Sequence, residues 1–178
     1  MSGRPAMRKR ERMVTLRVNE KSYGIIRDFA ASQGLSVNAY LNSVIDSQAE
    51  WFIPTSSYAA VTVPKAMLAT LFGMIGREAI DALAKKWAAE ARNIILLSGQ
   101  ELDIESALDF ARKVSRYFMG TAARMTFTDN AVSIAIRHDG GESFSYFIAQ
   151  SFVHLFQTIE IRASVEHDDT AVFIRIGT

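Results

Sequence analysis

The chain has 178 residues, of which 49% are hydrophobic and 22% charged, with a net charge of +1. That length holds one medium domain or a small module joined to a sensor-sized one, and the composition is that of a folded soluble protein. The absence of cysteine excludes disulfides and thiolate metal sites and makes a reducing cytoplasm the expected setting; no apolar N-terminal core marks a signal peptide, and no apolar run reaches the ~18 residues of a membrane span.

The charge is unevenly placed. Arg4, Arg8, Lys9, Arg10 and Arg12 against Glu11 give the first twelve residues +4, so the remainder carries −3 of the +1 total. A cationic arm over residues 1–12 on a mildly acidic body suits a nucleic-acid partner, and equally a solvated tail. Met13-Val14-Thr15-Leu16-Arg17-Val18 then alternates as a strand does, with Val14, Leu16 and Val18 on one face and Met13, Thr15 and Arg17 on the other. So short a strand cannot bury its apolar face alone. Asn19 is a good N-cap for a helix of about Glu20 to Ser32, striped by Tyr23, Ile26, Phe29 and Ala30. Gly34 stands where a left-handed C-cap is wanted, and Leu35 is its apolar partner. Ser36 caps a second helix, about Val37 to Phe52, which Pro54 stops.

This order of strand, helix, Gly34-Leu35-Ser36 turn and helix resembles the ribbon-helix-helix family of transcriptional regulators over residues 13–53. The resemblance implies a dimer in which two strands pair antiparallel and enter the major groove of double-stranded DNA. Thr15 and Arg17 would then read base edges, with Met13 as a third contact, since Arg can make two hydrogen bonds to guanine. Ser36 and the free backbone N–H groups from Val37 onward would bind a phosphate. Arg8, Lys9, Arg10 and Arg12 would add salt-sensitive affinity. The plainer reading is a helical hairpin whose strand serves dimerisation alone.

Residues 54–63 read as a linker, and 64–178 as a second domain. Pro64 suits the first turn of a helix whose apolar spacing (Met67, Leu68, Leu71, Phe72, Ile75, Ile80, Leu83, Trp87) runs to about Leu97, with Gly73 and Gly76 as bending points. Asp103 caps a helix of about Ile104 to Met119. The period then changes. Arg124 to Thr128 and Val132 to Arg137 alternate around Asp129-Asn130 as a hairpin. Ser143 caps a helix of about Phe144 to Thr158, and a second hairpin runs from Glu160 to Glu166 and from Thr170 to Ile176 around His167-Asp168-Asp169. The expected fold class is α+β: a ribbon-helix-helix module, then long helices and a four-stranded ββαββ sheet.

The hairpin at Asp129-Asn130, the Asp139-Gly140-Gly141 turn and the aromatic helix Phe144 to Phe156 resemble the ligand-binding class shared by four-vinyl-reductase-type sensors, TRAPP-like transport subunits and haem nitric-oxide sensors. That resemblance implies an apolar pocket between sheet and helices, although the zinc-binding cysteines of some such sensors are absent. Phe72, Trp87, Phe118 and Phe147 are the candidate lining, with Met67, Met74 and Met119 on the same helices; ordinary core is the plainer reading. His154, in line with Gln150 and Gln157, reads as exposed rather than as a haem ligand. Glu78 and Asp81 read as a wet helix face.

His138 and Asp139 fall at one sheet turn and His167, Asp168 and Asp169 at another, at the same end of the sheet. These are candidate ligands for a divalent metal, against the plainer reading of two solvated turns. The sequence names no cofactor. It holds no Ser-His-Asp order, Gly-rich phosphate loop or His-Glu metal motif, so no enzyme is expected. The expected function is a DNA-binding transcriptional regulator, a homodimer or dimer of dimers, whose C-terminal domain senses a small apolar ligand or drives oligomerisation. The alternative is an antitoxin-like protein whose C-terminal part binds a protein partner.

Overall fold

The computed structural model describes residues 12–56, 63–118 and 123–177, with Phe118 described in its backbone alone. The chain divides into two units, Met1–Ile45 and Asp46–Thr178. Arg8, Lys9 and Arg10, most of the linker, and Met119 lie outside the described residues.

In the first unit, helix α1 spans Glu20–Ser32, and the Asn19 side chain accepts a hydrogen bond from the Ser22 N–H at 2.9 Å. Gly34 takes φ 68°. The Leu35 N–H donates to the Ala30 carbonyl and the Gly34 N–H to that of Ala31, the double closure that ends a helix when a residue without Cβ adopts the left-handed conformation. Ser36 Oγ accepts the Ala39 N–H at 3.1 Å and starts α2, Val37–Ser47. The Phe29 and Tyr40 rings meet 5.3 Å apart across the turn. Residues 13–18, expected as a strand, form none in the single chain, because a lone short segment has no ladder partner among the described residues.

The expected second helix continues to Phe52, but its last five residues, Gln48–Phe52, are a π-helical turn. They belong to the second unit, so the boundary falls at residues 45 and 46 rather than at 53 and 54. The reason is contact: Trp51 packs on Phe110 and Tyr117, and Tyr117 Oη donates to Glu50 Oε2 at 3.1 Å.

The second unit begins with α3 (Lys65–Met74) and α4 (Arg77–Leu97), two helices where apolar spacing predicts one. Ile75 and Gly76 are both extended, and glycines at 73 and 76 weaken the helix at that point. Helix α5, Ile104–Lys113, starts in a capping box between Asp103 and Ser106, as expected of Asp103, and then passes into a π-helical turn, Val114–Phe118. Strands β1 (Arg124–Thr128) and β2 (Ala131–Arg137) form the first hairpin. Helix α6 spans Gly141–Thr158, capped by Gly140, so Ser143 lies within its first turn and does not cap it. A Cβ on Gly140 would sit 2.3 Å from the Phe144 ring, which is why glycine stands there. Strands β3 (Ala163–His167) and β4 (Ala171–Gly177) form the second hairpin.

The sheet order is β1-β2-β4-β3, antiparallel throughout. The central ladder pairs Val132 with Ile176, Ile134 with Ile174 and Ile136 with Val172, and all six side chains are buried. Helix α6 covers this face with Phe144, Phe147, Ile148, Phe152, Leu155 and Phe156. Helix α4 lies against α6 through Ile80, Ala84, Ala88, Ala91 and Ile95, a stripe small enough to let the two axes approach closely. Met67 and Met74, expected over the sheet, point outward and are exposed. Phe72 alone anchors α3 fully, its ring 5.2 and 4.7 Å from those of Phe144 and Phe147.

Phe152 is fully buried between Trp87 and Phe156, with ring centroids at 5.8 and 6.0 Å. Truncation leaves a cavity that rigid sheet and helix neighbours cannot fill. Phe152→Ala should therefore lower stability by about 3–5 kcal/mol, read as a shift of the urea midpoint followed by far-UV circular dichroism.

Candidate functional site

Three groups of side chains named from the sequence take definite places. The first is the N-terminal segment. Met13, Thr15 and Arg17 are exposed, as are Arg12 and Ser36, while Val37 is half-buried. Val14, Leu16 and Val18, the residues expected to face inward, are 73%, 56% and 41% exposed in the single chain. Ile25, Phe29, Leu35 and Ile45 are exposed as well, and Ala30 is the only buried residue between positions 12 and 45. Ser36 uses its oxygen as a helix cap and keeps its own hydroxyl proton free to donate.

The second group is the pair of turns at one end of the sheet. The ladder does bring them together: the His138 N–H donates to the Thr170 carbonyl at 2.8 Å, and the Asp168 N–H to that of Ala171 at 3.0 Å. The side chains, however, are already engaged. His138 Nδ1 accepts the Gly140 N–H at 3.2 Å, which leaves the proton on Nε2 to donate to Ser145 Oγ at 2.8 Å. Ser145, fully buried, passes the chain on to the Ala171 carbonyl. Asp168 Oδ1 accepts from the N–H and hydroxyl of Thr170 and from the Ala171 N–H, which holds its carboxyl below the usual range. Asp139 reaches toward Lys65 at 3.8 Å. His167 packs edge-on to Tyr146, and its buried Nδ1 has no hydrogen-bond partner.

A metal would have to displace these bonds, and no group of three or more His, Asp or Glu side chains among the described residues is arranged to hold one. The donor set does not fit the metal expectation for His138, Asp139, His167 and Asp168. What the arrangement does is lock the start of α6 to β4 through a neutral imidazole.

The third group is aromatic. Phe72, Trp87 and Phe147 pack on one another and on Phe110, Phe144 and Phe152, with centroids between 4.7 and 6.5 Å. They fill the core rather than line a space, and the side chain of Phe118 lies outside the described residues.

The expectation for His154 is overturned. Its side chain is only 16% exposed, and Nε2 lies 2.9 Å from Asp81 Oδ1 on α4. That contact, with a second from Lys85, keeps the Asp81 carboxyl below its ordinary value and removes Asp81 from a purely wet face. Helical spacing gave His154 a polar neighbourhood, but the partner lies 73 positions away in sequence and no local pattern reveals it. The Glu50–Tyr117 bond, 67 positions apart, was hidden for the same reason; burial and Glu50 together raise the Tyr117 phenol above its ordinary value.

Compared with known proteins, the chain matches no family model, no curated protein sequence and no solved structure.

Burial pushes the His138 imidazole below its ordinary value of 6.5, and the nearby carboxylates of Asp139, Asp168 and Asp169 only partly oppose it. A histidine with a depressed folded pKa binds its proton more readily unfolded than folded, so stability falls as pH drops through the ordinary histidine range. The urea midpoint should therefore decrease from about pH 7.5 to about pH 5.5, a window above the carboxylate pKa values. His138→Gln should flatten that decrease; an unchanged slope would remove His138 as its source.

Proposed function

We propose that this protein is a sequence-specific DNA-binding regulator that acts as a homodimer through residues 13–45, with its C-terminal unit serving assembly. One observation carries the reading. Between positions 12 and 45 a single alanine is buried, while Val14, Leu16, Val18, Ile25, Phe29, Leu35 and Ile45 are exposed. An alternating segment and two capped helices with so little core of their own favour pairing with a second copy, because burial of apolar area is the main force available to hold them. Antiparallel pairing of two such segments would satisfy their free backbone edges and cover Val14, Leu16 and Val18.

The same pairing would leave Thr15 and Arg17 on the opposite face of a two-stranded ribbon, and such a ribbon fits the major groove. The cationic arm, with Arg8, Lys9, Arg10 and Arg12, supplies the phosphate attraction that double-stranded DNA rewards. The hydroxyl of Ser36 and the amide of Val37 stand at the start of α2, a place suited to a phosphate oxygen.

Two roles compete for the C-terminal unit. The closed packing of Phe72, Trp87 and Phe147 favours assembly over binding of an apolar ligand. The antitoxin-like alternative gains no support, since residues 63–177 carry their own core and do not need a protein partner to form one.

The test is selection of operator sequences from a random duplex library by the full chain, followed by two variants. Leu16→Glu should abolish specific DNA binding and the strand-mediated dimer, read by sedimentation at about micromolar concentration, where the small sheet face alone holds no dimer. Arg17→Ala should weaken the selected duplex by about 1–3 kcal/mol and relax preference at one base position. Equal loss on all sequences would reassign Arg17 to a phosphate, and intact binding by Leu16→Glu would overturn the reading.

A further inference from the structure

The face of the sheet turned away from α6 is uncovered. Its exposed residues are Arg124 and Thr126 on β1, Ser133 and Arg137 on β2, Phe173 and Arg175 on β4, and Ser164 and Glu166 on β3, with Ala135 half-buried. A depression of about 430 Å³ lies on it. Phe173 is 48% exposed, the one aromatic on this face.

The strand register arranges these side chains in rows. One row across the sheet reads Arg124, Ala135, Phe173, Glu166, and the next reads Thr126, Ser133, Arg175, Ser164. The first row has its cation at one edge, its anion at the other, and beside the centre a large residue next to a small one. Reversing the row end to end places each group opposite its complement. A two-fold axis running parallel to the strands between β2 and β4 performs that reversal when two such faces meet.

From this we infer that the outer sheet face is a self-association surface whose occupant is a second copy of the chain, packed face to face. Arg124 lies opposite the partner's Glu166, and Glu166 opposite the partner's Arg124. Phe173 enters the hollow over the partner's Ala135. In the second row, Thr126 meets the partner's Ser164, and Arg175 meets the partner's Ser133, a hydroxyl that can accept from it.

Aligned sheets pack about 10 Å apart at about −30°, a rotation that displaces the row ends by only a few Å, within the reach of an arginine. An isologous interface requires one patch to complement itself, and this row does so in charge and in size. Arg137 and Arg175 are surplus cations, and the face covers only roughly 400 Å² from the strand spacing and rise, against about 800 Å² per partner in a stable complex. The association is therefore weak, and high protein concentration is needed to see it.

The inference deepens the assembly role proposed for the C-terminal unit but rests on sheet register, not on pairing of the N-terminal strand. The experiment keeps the two apart. Sedimentation equilibrium up to several hundred micromolar compares the full chain with Leu16→Glu, in which strand pairing cannot mask the sheet. Arg124→Glu and Glu166→Arg are then added to that variant singly and together, with folding checked by circular dichroism.

The Leu16→Glu chain should still self-associate. Each single reversal turns two attractions per dimer into repulsions and should weaken association on the order of tenfold, and the double reversal should restore it. A Leu16→Glu chain that stays monomeric throughout overturns the sheet surface and leaves strand pairing intact. Self-association indifferent to the charge reversals also overturns it. If the wild type and Leu16→Glu chains associate equally, with the reversals acting as expected, the sheet surface stands and strand pairing falls.

Discussion

The antiparallel ladder between β2 and β4 is the contact on which the C-terminal unit depends. It joins two hairpins that are far apart in sequence, and it opposes Ile134 to Ile174 at the centre of the sheet. A slip of one residue would send Val132, Ile134 and Ile136 to the outer face and bring Ser133 and Arg137 inward, so burial of the inner face specifies the register strongly. The same register then fixes two things that were never selected by core packing alone. It sets the Arg124, Ala135, Phe173, Glu166 row on the outer face, and it brings the turns after β2 and before β4 into hydrogen-bonding distance.

Those turns illustrate how a polar cluster can be structural. His138, Asp139, His167 and Asp168 are the residue types of a metal site, but the decisive question is what their lone pairs already do. Asp168 spends one oxygen on three donors within its own turn, which shapes the turn for backbone reasons. His138 links Gly140 to Ser145, and Ser145 links α6 to β4. A neutral imidazole suits that chain, because protonation of Nδ1 would set two N–H groups against each other. The fit between the hydrogen bonds and the direction of the pKa shift is what makes the structural reading consistent.

Much of the fold was legible from local chemistry. Asn19, Asp103 and the Gly34-Leu35 pair act as helix boundaries because a cap depends only on residues three or four positions away. The strands were legible because alternation in Val132 to Ile136 and Val172 to Ile176 records which face is buried. What could not be read depends on distant partners. Helix α6 carries His154 on its polar flank, yet α4 arrives with Asp81 and covers it. The apolar spacing from Met67 to Trp87 is continuous, yet Ile75 and Gly76 leave the helical conformation, and the outward half of α3 is as apolar as its inward half. The turn residues of the metal expectation were placed correctly at one end of the sheet; their hydrogen bonds, which decide their role, were not in the pattern.

The two units obey different stability logics. Asp46–Thr178 buries Phe152, Phe156 and the central isoleucines within one chain, so its core forms without a second copy. Residues 12–45 bury almost nothing, so under the proposed strand pairing their folded fraction would rise with the concentration of the chain. A weak contact between C-terminal units would change that balance without touching the N-terminal residues. With two copies so held, the proposed pairing of residues 13–18 would take place in a small volume, at an effective concentration that would rise toward the millimolar range of a short connection. An interface too small to define a stable dimer alone can in this way set the threshold at which a second, coreless unit becomes ordered.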